Sequence, residues 1–289
     1  MLDRAAARDP LRGILLAVGA SLSFAVLDAI VKFLSQTYPP MMVAWARYAF
    51  HVGVMAALLA PRRGLSLVST RQPLLQLVRG LCLGLSSITF FNALARMPQA
   101  EATAIISTSP ILVTVVAVYW LRERAARGTW VALAVSFAGV LLIVRPGSSL
   151  FGATALLPLA AAVFAAGYSL LTRRLAGVDD GISTLFLGGV FATLLLTLLL
   201  PFSWSPPQSL FHLLLLLAAG IVGAGGHLLL VRAYERADAS TLAPFTYMHA
   251  VAALGTGWLV FGTFPDTPAL VGMGMIVATG VAMALARRR

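Results

Sequence analysis

The chain has 289 residues, of which 60% are hydrophobic and only 11% are charged, and its net charge is +11. Soluble domains contain roughly 25% charged residues, and a soluble chain of this length could not hide so much apolar surface, so the composition excludes a soluble protein. The basic residues stand at the ends of hydrophobic runs, which indicates membrane topology and not nucleic-acid binding. We therefore expect an integral membrane protein that has lipid as its partner and binds no nucleic acid.

Ten apolar segments follow one another along the chain, each near the ~20 residues that cross a bilayer as a helix. They occupy approximately residues 13–34, 41–60, 74–95, 99–121, 128–145, 153–173, 182–201, 210–233, 239–262 and 268–286. The first segment is longer than the ~7–15 apolar residues of a signal peptide, so we expect an uncleaved first helix.

The basic residues also predict an orientation. With the N-terminus inside, most of the 21 Lys and Arg residues lie on the inner side, and only Lys32, Arg96 and Arg145 lie outside. This bias predicts an even number of spans with both termini in the cytoplasm. We expect a multi-pass protein of a bacterial-type inner (plasma) membrane.

An internal repeat divides the chain into two halves. A shift of about 140 residues brings Ala93-Leu94-Ala95-Arg96 onto Ala233-Tyr234-Glu235-Arg236. We predict two five-helix repeats, residues 12–147 and 152–287. Since five is odd, the repeats insert with opposite orientation, an arrangement that suits alternating access around a site at their interface. The predicted fold is therefore all-α, with ten transmembrane helices in two inverted five-helix repeats.

The sequence offers no pattern for catalysis. The single cysteine, Cys82, excludes an intrachain disulfide and a cysteine metal cluster. Neither Gly-x-Ser-x-Gly nor His-Glu-x-x-His occurs, so we expect no enzyme, no catalytic residue, no metal and no cofactor. A Walker-type loop is also missing, so a transporter of this sequence would use the substrate gradient or a proton gradient. A purely structural membrane scaffold is a third class, against which the inverted repeat and the buried charges argue.

Ionisable residues within the spans are candidates for a gate or for ion coupling. Such residues cost about 2.5–3.5 kcal/mol on insertion scales, so they usually face a cavity or a partner. Asp28 and Arg47 lie in the outer thirds of spans 1 and 2, and Glu101 lies at the outer end of span 4, at the depth of Lys32. They form either an outer gate in which Asp28 or Glu101 carries a proton, or structural ion pairs such as an i,i+4 pair of Asp28 with Lys32.

Histidines and aromatic residues near the middle of the membrane predict a mostly apolar pocket with a few polar groups, which suits a zwitterion with an apolar side chain. The predicted substrate-binding residues are His51, Phe90, Phe91, Thr108, Tyr168, Phe245, Tyr247, Met248 and His249. Core packing is the alternative for each ring, and a hydrogen bond between helices is the alternative for each histidine. For His227 we expect a structural role, and for Arg79 a side chain that extends towards the cytoplasm.

Several stretches resemble the EamA-type branch of the drug/metabolite transporter (DMT) superfamily. They are Phe91-Asn92-Ala93-Leu94-Ala95-Arg96-Met97-Pro98 followed by Glu101-Ala102, Ser109-Pro110, Leu121-Arg122-Glu123-Arg124, Gly139-Val140-Leu141-Leu142-Ile143-Val144-Arg145-Pro146-Gly147, and in the second half Arg232-Ala233-Tyr234 through Ala239-Ser240. The resemblance covers essentially the whole chain. The chain departs from the family pattern at Thr263, the uncharged counterpart of the acidic Glu123.

The resemblance implies a secondary transporter. Similar proteins include exporters of amino acids and related metabolites, among them the YddG type, while others import S-adenosylmethionine or move nucleobases and drugs. We expect a monomer that exports small amphipathic metabolites, in the first place aromatic or other apolar amino acids. Import of S-adenosylmethionine or a nucleobase, and drug export, are the alternatives.

Overall fold

The computed structural model describes residues 9–97, 99–144, 153–262 and 266–286. Over these ranges the chain is all-α and forms twelve helices. They are α1 (Pro10–Leu34), α2 (Pro40–Arg63), α3 (Pro73–Arg96), α4 (Gln99–Ile106), α5 (Ser109–Trp120), α6 (Arg127–Val144), α7 (Leu156–Leu175), α8 (Gly181–Leu199), α9 (Leu210–Arg236), α10 (Ala239–Thr246), α11 (Met248–Phe261) and α12 (Thr267–Ala286).

Six of the described helices are long and apolar enough to cross a bilayer singly: α1, α2 with the turn that follows it, α3, α7, α8 and α9. Shorter apolar helices in α5, α6 and α12 complete the apolar layer. The prediction of an all-α membrane protein with ten spans is confirmed. Spans 4 and 9, which the sequence suggested as single rods, each consist of two short helices.

A proline lies close to the break in each of spans 4 and 9, Pro110 just after the first break and Pro244 just before the second. Pro110 and Pro244 have no N–H, so the carbonyls of Ile106 and Ser240 lose their partners in the helical ladder. At both breaks the backbone tightens to an i to i−3 bond, from the Ile111 N–H to the Thr108 oxygen at 3.1 Å and from the Ala250 N–H to the Tyr247 oxygen at 2.9 Å. Span 4 therefore divides into α4 and α5, and span 9 into α10 and α11.

Helix pairing follows an inverted twofold relation. Helix α1 packs antiparallel on α9: the Phe33 and Phe211 rings lie 6.2 Å apart, and Gly13 lies against Ala237 at the other end. The pair that the repeat relates to it is α7 on α3, where Arg79 contacts Thr172 and Ser86 contacts Ala161. Two pairs of equivalent helices also contact each other, α2 with α8 and α6 with α12. The short helices cross over, so that α5 contacts α10 and α4 contacts α11. The prediction of two inverted five-helix repeats is confirmed.

Candidate functional site

A cavity of about 190 Å³ lies between the two repeats. Helices α1 to α5 contribute to it from the first repeat, and α7, α9, α10 and α11 from the second. Its polar lining includes Asp28, Arg47, Tyr168, His227 and His249, while rings such as those of Phe24, Phe90 and Phe91 form apolar walls. Because both repeats line this cavity, its shape and its access to solvent change whenever the repeats move relative to each other.

The structure places six of the predicted site residues in this lining and five elsewhere. Those in the lining are Asp28, Arg47, Phe90, Phe91, Tyr168 and His249. Those outside it are His51, Thr108, Phe245, Tyr247 and Met248. The Glu101 side chain lies outside the described part of the structure.

The five displaced residues have specific surroundings. His51 faces α8, with its Nε2 3.1 Å from the Met55 sulfur and its ring beside Gly189. The helix breaks explain the others, because a helical period does not continue in phase across a break. Tyr247 and Met248 pack in a cluster with residues of α6 and α12. Phe245 lies in the main core and Thr108 bonds its own turn, while Ser107, Ser109, Ala243 and Thr246 occupy the cavity side.

Asp28 and His249 form a direct contact between the two repeats. Asp28 Oδ2 on α1 lies 2.7 Å from His249 Nε2 on α11, and the side chains are only 5% and 18% exposed. The sequence suggested Lys32 as the partner of Asp28, but Lys32 donates instead to the carbonyls of Leu94 and Met97. A carboxylate this close to an imidazole can share a proton with it.

A chain of hydrogen bonds crosses the cavity wall from Arg47 to Arg79. Arg47 Nη2 lies 2.7 Å from His227 Nε2, His227 Nδ1 lies 3.1 Å from the Tyr168 hydroxyl, and Arg79 Nη2 donates to that hydroxyl at 3.0 Å. We call Arg47, His227, Tyr168 and Arg79 the cationic wall. It links four helices, because Arg47 belongs to α2, Arg79 to α3, Tyr168 to α7 and His227 to α9.

The donors of the cationic wall determine where its protons lie. A guanidinium only donates, so His227 Nε2 must accept from Arg47, and the neutral ring then carries its proton on Nδ1. The Tyr168 oxygen consequently accepts from both His227 and Arg79. Its own proton is left without a partner in the described part of the chain. The tyrosine hydroxyl is therefore available to donate to a ligand.

Two glycines make room for the buried arginines. A Cβ added at Gly223 would lie 2.7 Å from Arg47 Nε, and one added at Gly188 would lie 2.6 Å from Arg79 Nη1. Arg79 was expected to extend towards the cytoplasm, but it is wholly buried and donates to Thr172 Oγ1 and to the Thr184 carbonyl. The expectation was wrong because neighbouring helices offer this guanidinium fixed acceptors. In the sequence, the position of Arg47 was indicated by Gly223 and His227, which lie one helical turn apart on α9 and both contact Arg47 in the structure.

Two equivalent clamps tie neighbouring helices together towards the two ends of the bundle. In the lysine clamp, Lys32 donates to the Leu94 and Met97 carbonyls. In the arginine clamp, Arg173 donates to the Tyr234 carbonyl at 2.9 Å and pairs with Glu123 and Asp238. Because α1 and α9 run antiparallel, these clamps lie at opposite ends of the cavity. Glu123 additionally accepts from the N–H groups of Ala239 and Ser240, at 3.3 and 3.0 Å, and thereby holds the start of α10.

The chain matches known proteins over nearly its whole length. It is 34% identical over 280 residues to the pseudopaline exporter CntI of Pseudomonas aeruginosa strain UCBPP-PA14, covering 96% of this chain and 97% of that protein. It is 32% identical to the riboflavin transporter of Vibrio cholerae, covering 93% and 91% of the two chains. It is 26% identical to the S-adenosylmethionine uptake transporter of Rickettsia conorii, covering 87% and 85%.

A solved crystal structure of a protein with 21% identity superposes with a TM-score of 0.77, covering 96% of this chain and 98% of that chain, and this likeness shows the fold alone. The EamA-like transporter family matches twice, over residues 11–145 and 152–285. The relatives are transporters of small molecules and not enzymes, as the sequence predicted. On these matches, and on the fold and the cavity between the repeats, the chain belongs to the EamA-like transporter family.

Proposed function

We propose that this protein is a secondary transporter that exports small amphipathic metabolites, in the first place amino acids with aromatic or other apolar side chains. The observation that carries the proposal is the cavity between the repeats, which combines a cationic wall, an acidic residue and aromatic rings. A zwitterion needs a cationic and an anionic partner, and an apolar side chain needs a dry wall. Arg47, Asp28 and the rings of Phe90 and Phe91 supply these three environments.

The size of the cavity supports a small substrate. Its volume of about 190 Å³ lies below the roughly 300–1,000 Å³ of pockets for drug-sized ligands. An amino acid fits such a space better than a dinucleotide-sized or flavin-sized molecule. We propose a monomer as the working unit, because the two repeats that build the cavity are both present in this chain.

Alternating access would use the two repeats, residues 12–147 and 152–287, as the moving bodies. We propose that both termini lie in the cytoplasm of a bacterial-type inner membrane, because the basic residues concentrate on that side. The arginine clamp then lies at the inner end, where its Arg173–Glu123 ion pair joins the two repeats and can act as a closure, while the lysine clamp braces α1 against α3 at the outer end. Export requires the inner and outer ends of the cavity to open in turn.

The driving force would be the substrate gradient or a proton gradient. Asp28 and His249 support proton coupling, because their contact joins α1 of one repeat to α11 of the other. A proton that enters this pair changes the charge at the contact between the moving bodies. Asp28 would then alternate between His249 and the substrate amine.

Purified protein in liposomes tests the proposal. We expect uptake of labelled apolar amino acids in a panel experiment, with a rate that depends on the pH gradient. The same vesicles containing Asp28→Asn protein report on coupling. If no amino acid moves, the amino-acid proposal is wrong, and if transport ignores the pH gradient, the proton role of Asp28 is wrong.

The relatives favour a second candidate. A pseudopaline exporter is 34% identical to this chain, which supports export of a larger metabolite of that kind. Relatives that move riboflavin and S-adenosylmethionine support import or transport of those compounds, and a nucleobase or a drug remains a further candidate in the same class. Adding pseudopaline, riboflavin and S-adenosylmethionine to the panel, with both vesicle orientations, separates these candidates from amino-acid export.

A further inference from the structure

The cationic wall contains two buried cations that form no salt bridge with a described residue, and the Asp28 carboxylate attracts Arg47 only from beyond salt-bridge distance. Arg47 is 2% exposed and Arg79 is fully buried. Within the described residues, no carboxylate lies within the 4 Å of a salt bridge from either guanidinium. A buried positive charge that is left unpaired inside a membrane is costly, so such residues normally face a partner or a polar cavity.

The groups that do contact these arginines are all neutral. Arg47 donates to Ser87 Oγ at 2.9 Å and to His227. Arg79 donates to Thr172 Oγ1, the Thr184 carbonyl and Tyr168. Hydrogen bonds to neutral acceptors satisfy donors but do not cancel charge, so the wall keeps its positive charge.

Donors exceed acceptors along the wall. Arg47 Nε packs against Gly223 as a buried N–H with no hydrogen-bond partner in the described structure. The hydroxyl proton of Tyr168, a residue of the cavity lining, is unused because the Tyr168 oxygen accepts twice. The acid of the cavity lining, Asp28, already bonds His249. Among the described residues, therefore, no acceptor that carries negative charge bonds to the wall.

We infer that the cationic wall is a carboxylate subsite, in which Tyr168 and Arg47 hold the anionic end of the substrate. Arg79 is a positioning residue, since its contact with the Tyr168 oxygen turns the hydroxyl proton towards the ligand. His227 is the neutral spacer that accepts from Arg47 and donates to Tyr168. This inference rests on the proposed transport function and adds that the substrate must carry a carboxylate, while its amine is recognised separately.

A matched set of ligands tests the subsite. L-phenylalanine, its amide and 3-phenylpropanoate share one ring and differ in the carboxylate or the amine. Purified protein should bind both carboxylates, and it should bind the amide about 10- to 100-fold more weakly, since a charge-assisted hydrogen bond is lost. Binding is measured by isothermal titration, and transport by counterflow in liposomes.

Tyrosine-to-phenylalanine variants give the matched comparison. Tyr168→Phe should lose about 10-fold or more in affinity for L-phenylalanine, while its weak affinity for the amide stays unchanged. The ratio of the affinity for the acid to the affinity for the amide therefore falls towards one. Tyr38→Phe is the control, because its buried hydroxyl bonds His212 and the Gln208 N–H away from the cavity. A merely structural role of Tyr168 would weaken both ligands equally and leave the ratio unchanged.

Failure of the subsite and failure of the proposed function are distinguishable. If the wild-type protein moves acid and amide equally well, the subsite is wrong and transport stands. If none of the panel is transported, the amino-acid proposal is wrong, and thermal stabilisation by a series of short mono- and dicarboxylates against their amides decides the subsite. Equal stabilisation by acids and amides, or stabilisation by neither, overturns the inference.

Discussion

Lys32 and Arg173 occupy equivalent positions in the two repeats and make equivalent contacts. Lys32 at the end of α1 donates to the carbonyl of Leu94 at 3.1 Å, and Arg173 at the end of α7 donates to the carbonyl of Tyr234 at 2.9 Å. The arginine clamp adds two carboxylates, Glu123 and Asp238. The two ends of the cavity therefore share one geometry but differ in charge chemistry.

Breaking the arginine clamp should open that end of the cavity. Glu123→Gln removes the ion pair with Arg173 and weakens the hold on the start of α10. A cysteine at Ala165 in the cavity lining, in a Cys82→Ala background, reports access. A membrane-impermeant thiol reagent should label it about 3- to 10-fold faster from the side on which the clamp lies.

Glu235→Gln is the control for this experiment. Glu235 pairs with Arg232 on α9 at 2.9 Å, and its side chain is more exposed than that of Glu123, so the loss of this pair should leave labelling unchanged. Unchanged labelling in Glu123→Gln, or acceleration only from the side of the lysine clamp, would contradict the assignment of the arginine clamp as a closure.

A methyl group at Gly223 should displace Arg47. Since the added Cβ would lie 2.7 Å from Arg47 Nε, the guanidinium must move away from His227. We expect Gly223→Ala to lower substrate affinity about 10-fold, measured by titration calorimetry. Gly225→Ala on the same helix is the control, because its Cβ meets no atom within 4 Å. Equal affinities of the two variants would show that the position of Arg47 does not matter for binding.

Replacing Asp28 by a neutral residue should affect proton-coupled accumulation more strongly than substrate exchange. Asp28→Asn keeps the shape of the side chain and a hydrogen bond to His249 but removes the group that would exchange a proton. We expect accumulation driven by a pH gradient to fall at least about 10-fold, and to fall more than substrate counterflow without a gradient, which loses only the contact of Asp28 with the substrate amine. A variant that still accumulates substrate in response to the pH gradient would exclude Asp28 as the coupling residue.

Asp179 should contribute to stability above acidic pH. It lies in the α7–α8 connection, where burial alone would raise its pKa, but hydrogen bonds from Thr70, the Arg71 N–H and Gln76 outweigh burial and hold the pKa below its ordinary value. Because the folded pKa is depressed, the contribution is present above the unfolded value of about 3.9 and is lost as pH falls through the folded pKa.

The measurement is thermal unfolding in detergent between pH 7 and acidic pH. Asp179→Asn should lower stability at pH 7 by a few tenths to about 1 kcal/mol, because the group is partly exposed, and it should flatten the acid limb of the stability curve. If the stability of the Asp179→Asn variant still falls at acidic pH as it does in the wild type, the pH dependence comes from other carboxyl groups.

The sequence alone determined the membrane fold and the family. Lipid demands apolar helices of about 20 residues whose backbone groups are satisfied within each helix, so the ten spans follow from local composition. The repeat followed from a shared offset, as in Leu94 and Tyr234, and the motifs around Ser109-Pro110 and Glu123 indicated the EamA-type family. The approximate depth of Asp28, Arg47 and His249 was also readable from their positions along the spans.

Only the tertiary structure decided which side chains meet. A helix between lipid and core is apolar on all sides, because both environments are apolar, so its sequence does not reveal which face turns inward. For this reason His51 was expected in the cavity but faces α8, and the partners of His227, for which a structural role was expected, became visible only in the structure. The contact of Asp28 with His249 spans more than 200 positions. No local pattern encodes such a pairing, because the closing of the two repeats against each other creates it.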